Sequence, residues 1–148
     1  EVVLQDTTSS EEDLNAAGRL ALNKFGDRLR VYFSVHTNAC EAKDANGYMF
    51  ITGGNATWSD NKLADNLSEA MANNSYVRQR NNMYNVNYIG ELNVVDNFNT
   101  IAVLGEFGFF TNDKDLDNLT EDEYIDYIAR NVANEISSLL NKIDKNKK

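Results

Sequence analysis

The sequence predicts an α/β domain: a mostly parallel twisted sheet flanked by helices. Three observations carry this reading. Short β-branched or aromatic runs alternate with segments of helical spacing. Two of those runs, "RVYFSV" and "IAVLGEFGFF", are apolar at nearly every position, as in strands covered on both faces of a parallel sheet. The chain also closes on a long amphipathic segment, "TEDEYIDYIARNVANEISSLLNKI".

Taken in order, "VVLQD" (2–6) reads as a strand entering a helix start at "TTSS". The spacing then predicts a helix with Ser10 as N-cap and Asp13 as its capping-box partner. Leu14, Ala17, Ala21 and Phe25 lie on one face before Gly26. "RVYFSV" (30–35) is the next strand, ending at His36, and "GYMFIT" (47–52) follows it. After "GGN", Thr57 and Asp60 form a second capping box for a helix carrying Leu63, Leu67, Ala70 and Met71. The asparagine-rich residues 73–100 read as loop with one or two short strands, "MYNVNYIG" and "LNVV". "IAVLGEFGFF" (101–110) is the most strand-like run. The closing helix takes Thr120 as N-cap and Glu123 as box partner, with Ile125, Ile128, Val132, Ile136, Leu139 and Ile143 along its stripe. Residues 1–143 are thus expected to form one domain, with the charged tail "DKNKK" (144–148) frayed.

At 148 residues and 42% hydrophobic content the chain can bury one real core. A net charge of -9 and a pI near 4.5 argue against nucleic acid and anionic lipid surfaces as partners. No run approaches the length of a membrane span. Cys40 is the lone cysteine, so no internal disulfide is expected. The chain opens on "EVVLQD" without methionine, which suggests a segment upstream.

Two residues stand out chemically. Glu106 is a carboxylate inside "AVLGEFGFF", where burial is costly unless the group is paired, protonated or metal-bound. Its bland reading is a structural ion pair or a strand end; the flanking Gly105 and Gly108 hint at close approach by a ligand. His36 is the only histidine, at the carboxyl end of an apolar strand, where open α/β sheets bind ligands. Alone, a histidine so placed is more often a satisfied or surface residue than a ligand. Together, a histidine and a glutamate at such an end can hold a metal and manage the proton of a water. "DKDLD" (113–117) lacks the glycine and closing glutamate of a calcium loop.

Side by side, "FSVHTNA" and "AVLGEFGFFTN" resemble two signature blocks of the zinc-dependent N-acetylmuramoyl-L-alanine amidases of the Amidase_3 type, which cut bacterial peptidoglycan. The first is similar to the family's S-x-H-x-N-A segment, whose histidine is a zinc ligand. The second is similar to its V-E-x-G-F-x-S/T-N segment, whose glutamate is the acid/base. By position, the resemblance implies Zn2+ as cofactor, His36 as a metal ligand and Glu106 as the catalytic general base. It extends to "EVVLQD", "NGYMFIT" and the apolar positions Leu92, Val94 and Ala102, and so covers essentially the whole chain. Family members also carry a first zinc histidine and a glutamate ligand near their start, and no counterpart of either is found here. The resemblance therefore implies the C-terminal portion of a catalytic domain whose zinc site an upstream segment or chain completes. The alternative is an amidase-like module without catalysis, serving wall binding or a larger assembly. Asp96 stands where the family often has arginine, and Ile101 where it often has proline. Peptidoglycan is the implied partner, and the cell wall or the extracellular space the implied place of action.

Overall fold

A computed structural model describes residues 11–96 and 98–146. Its elements in chain order are α1 (Glu11–Phe25), β1 (Val31–Asn38), β2 (Met49–Gly53), α2 (Trp58–Met71), β3 (Met83–Val86), α3 (Gly90–Val95), β4 (Ile101–Phe109), α4 (Asp113–Leu119) and α5 (Asp122–Asn146). The strand expected at 2–6 and the Ser10 cap lie outside the described residues. The four strands form one sheet in the order β1-β4-β2-β3. β1 is parallel to β4 and β2 to β3, while β2 and β4 run antiparallel.

Alternation along β4 divides the core into two layers, because successive side chains of a strand point to opposite faces. Ile101, Val103 and Phe107 join Tyr48, Phe50, Leu63, Leu67, Tyr124 and Leu139 on the side of α2 and α5. Ala102 and Leu104 join Met49, Ile51, Leu92 and Val95, with Leu22 of α1 packed against them, on the side of α1 and α3. The first layer is aromatic at its centre: Phe50 meets Tyr48 and Phe107 edge-on, with ring centroids 6.0 and 5.8 Å apart.

Several boundaries differ from the sequence expectation. β1 runs on to Asn38, beyond His36. Among the described residues β1 lies at an edge of the sheet, and Val35 is exposed, so β1 is not covered on both faces. "GELNVV" forms the short helix α3 instead of a strand, because Leu92 and Val95, one turn apart, bury against the sheet. α4 occupies "DKDLDNL", capped by the Asn112 side chain, which accepts from the Asp115 N–H. Thr120 closes α4 rather than opening α5: its hydroxyl donates to the Leu116 and Asp117 carbonyls. The buried stripe of α5 runs through Tyr124 in place of Ile125, which is exposed. The helix also continues through the expected tail to Asn146, where Asp144 pairs with Arg30 at 2.8 Å.

Asp96, at the C-terminal end of α3, has an uncomfortable environment. It is 8% exposed; among the described residues its Oδ2 accepts one long bond of 3.4 Å, from the Asn55 N–H, and its Oδ1 has no hydrogen-bond partner. Burial pushes its carboxyl from 3.8 up to about 6, with the Asp60 charge adding to the effect. The folded chain therefore binds this proton more tightly than the unfolded chain. The resulting stability is full below about pH 4 and is lost as pH rises through 6. Asp96→Asn is expected to stabilise the protein by about 1–2 kcal/mol at neutral pH, discounted for partial solvent screening, and to change little near pH 4. Urea unfolding of both proteins at the two pH values checks this, and an equal effect at both would contradict it.

Candidate active site

β1 carries a polar stripe on the α1/α3 side of the sheet, formed by Tyr32, Ser34 and His36 at alternate positions. Glu106 of β4 is the register partner of His36 on the neighbouring parallel strand, so both side chains leave the same face. α3, crossing this face, adds Glu91, which is 3% exposed. Its Oε2 accepts from Tyr32 Oη at 3.0 Å and from Ser34 Oγ at 2.8 Å, and its Oε1 lies 2.9 Å from His36 Nε2. Ser34 Oγ is also 2.9 Å from His36 Nε2.

The electrostatics follow from these contacts. The hydrogen bond with Glu91 raises the His36 pKa despite the opposing effect of burial, and the Glu91 and Glu106 charges add to the rise. For Glu91, burial works to raise the pKa, but the bonds from His36 and Ser34 outweigh it and hold the carboxylate below its ordinary value. Burial, with the Glu91 charge, drives the Tyr32 phenol upward, so it remains a donor. Glu106 differs from Glu91. Burial raises its pKa, partly offset by His36, and its buried Oε2 has no hydrogen-bond partner among the described residues. A carboxyl poised upward and unsatisfied is suited to accept a proton from something that enters the site.

The loops beyond the two strands are stitched together. The Phe110 N–H donates to the Asn38 carbonyl at 2.9 Å and the Cys40 N–H to Thr111 Oγ1 at 3.1 Å. Asn112 Nδ2 donates to the Lys43 carbonyl at 2.8 Å. Asp115, 3% exposed, accepts from the Gly47 and Phe109 N–H groups. The "HTNAC" and "GFFTN" segments thus form one rim. The two glycines near Glu106 have packing reasons: a Cβ at Gly105 would stand 2.8 Å from the Phe107 ring, and Gly108 takes φ +150 against α4.

The structure therefore brings His36 and Glu106 together and adds Glu91, which sequence reasoning missed inside an apparent loop. Its signal was faint: one acid between Ile89 and Leu92 in an otherwise apolar and asparagine-rich stretch. Among the described residues, no group of three histidine, cysteine, aspartate or glutamate side chains is placed to hold a metal ion by itself. None of their helices is long and apolar enough to cross a membrane.

The sequence profile of the N-acetylmuramoyl-L-alanine amidases, Amidase_3, matches residues 1–138. The chain belongs to this family. Solved amidases share its fold. The catalytic domain of CwlV from Bacillus (Paenibacillus) polymyxa var. colistinus is 22% identical with a TM-score of 0.71, over 95% of this chain and 73% of that one. An N-acetylmuramoyl-L-alanine amidase from Clostridium difficile 630 is 27% identical with a TM-score of 0.70, over 93% and 68%. The CwlD amidase of Clostridioides difficile, solved in complex with the GerS lipoprotein, is 19% identical with a TM-score of 0.69, over 95% and 71%. No curated protein matches the chain. Membership in Amidase_3 sets the reaction class: hydrolysis of the amide joining N-acetylmuramic acid to L-alanine in peptidoglycan.

Proposed function

We propose that this Amidase_3 chain performs zinc-dependent hydrolysis of that amide, with His36 as a metal ligand and Glu106 as general base. One observation carries the reading: the cross-strand pairing of His36 with Glu106 on one sheet face, where the Glu106 Oε2 is buried without a partner among the described residues. That orphaned oxygen and the His36 imidazole are a donor set that suits a zinc-assisted hydrolase. Zinc, when bound at His36, supplies a Lewis acid that polarises the amide carbonyl and acidifies water. Glu106 accepts the proton of the attacking water, aided by its raised pKa, and returns it to the leaving nitrogen of L-alanine. Ser34 Oγ and Glu91 Oε1, each 2.9 Å from His36 Nε2, fix the imidazole plane.

In this reading the protein acts on the cell wall or outside the cell, and an upstream segment or second chain completes the metal site. Digestion of purified peptidoglycan tests it. New amino groups on L-alanine, without new reducing sugar ends, are the expected products. Wall binding without any product would instead favour a non-catalytic module.

A further inference from the structure

We propose that a groove between α2 and α5, remote from His36 and Glu106, holds a second peptidoglycan strand; the inference rests on the peptidoglycan reading above and deepens it. Shape is the first ground. The groove encloses about 250 Å³. Buried Leu139 and half-buried Ile143 of α5 line it, together with Trp58, the first residue of α2, which is 69% exposed. An open indole beside a groove of this size offers a flat apolar face to the C–H side of a sugar ring.

Charge is the second ground. Lys62, one turn after Trp58, and Lys142 and Lys145 of α5 also line the groove, and among the described residues no acidic side chain does. None of the three lysines is ion-paired among the described residues, and Asp144, which lies between the last two in sequence, pairs with Arg30. In a chain of net charge -9 this is an uncompensated basic spot on an acidic surface. Peptidoglycan complements it, because its N-acetylated sugars carry stem peptides that end in free carboxylates. A sugar ring on the indole brings such carboxylates to the ammonium groups.

Placement makes the strand a second one. α2 and α5 cover the sheet face opposite the one that α1 and α3 share with the catalytic pair. β2 starts at Met49 beside Glu106 and runs antiparallel to β4 toward Gly53, about 13 Å away, and α2 opens beyond that end. The groove therefore takes a strand other than the one whose amide faces Glu106, and it keeps the protein on the wall between cuts.

Co-sedimentation with purified peptidoglycan, stripped of phosphodiester-linked polymers, tests the proposal in a Glu106→Gln background that leaves the wall undigested. Trp58→Ala and the pair Lys62→Glu with Lys142→Glu are each expected to raise the Kd at least about tenfold. The control pair Lys114→Glu with Arg130→Glu makes the same charge change at exposed positions outside the groove and should leave the Kd unaltered. With Glu106 restored, the groove variants should hydrolyse a small soluble muramoyl peptide at the parent rate and intact peptidoglycan more slowly. Parent-level binding in Trp58→Ala, equal weakening in the control pair, or binding that needs the phosphodiester polymers left on the wall would overturn the inference. Groove-dependent binding without hydrolysis by the Glu106 protein would sustain it and overturn the amidase reading instead.

Discussion

Replacing Glu106 by glutamine is expected to lower the rate of amide hydrolysis by about 10³-fold while leaving zinc binding intact. The amide keeps the size and position of the side chain but cannot take a proton from water. Folding is not at risk. Glu106 is a carboxyl whose ionisation burial already opposes, so the neutral glutamine removes a cost, and unfolding should show equal or slightly higher stability. Steady-state hydrolysis, zinc titration and thermal unfolding of the same preparation separate the possible outcomes. Loss of zinc together with activity would make Glu106 a ligand, and full activity would remove it from the reaction.

The largest effect on stability is expected at Asp60. This residue is 1% exposed and does two jobs at once. Its Oδ2 accepts from the Thr57 N–H and hydroxyl, closing the capping box of α2. Its Oδ1 accepts from the Ala102 N–H at 2.6 Å, anchoring the start of β4. Asp60→Ala strips the helix of its cap and leaves a buried donor on β4 unpaired, for a combined loss of about 3 kcal/mol. In a chain of this length that corresponds to a fall in Tm of roughly 10 °C. Thr57→Ala, which removes only the cap hydroxyl, should cost about 1 kcal/mol. Equal losses in the two variants would show that the bond to Ala102 contributes nothing.

Asp60 also illustrates what sequence can and cannot show. The Thr57–Asp60 spacing announced a capping box, because capping is local and its partners lie three residues apart. The bond to Ala102 spans 42 positions and had no local signature. The same division holds at the site. His36 and Glu106 were legible because each interrupts an apolar strand and each sits in a block resembling an amidase signature. Their pairing in register depends on the parallel alignment of β1 with β4, which only the fold supplies. Glu91 escaped notice because α3 is six residues long, too short for a helical period to emerge, and its partners lie 55 to 59 positions away on β1. Thr120 misleads for the opposite reason. A hydroxyl followed by acids fits a helix start, yet the preceding helix α4, unsuspected in "DKDLDNL", had the prior claim on it.

In the proposed function, His36 and Glu106 work as one metal-assisted site on the muramoyl–alanine amide. The most direct test is mass spectrometry of the fragments released from purified peptidoglycan by the zinc-loaded protein and its His36→Ala variant, side by side. Free stem peptides beginning with L-alanine are expected from the wild type and none from His36→Ala. Release of such peptides by His36→Ala at the wild-type rate, or cleavage within the glycan strand, would contradict it.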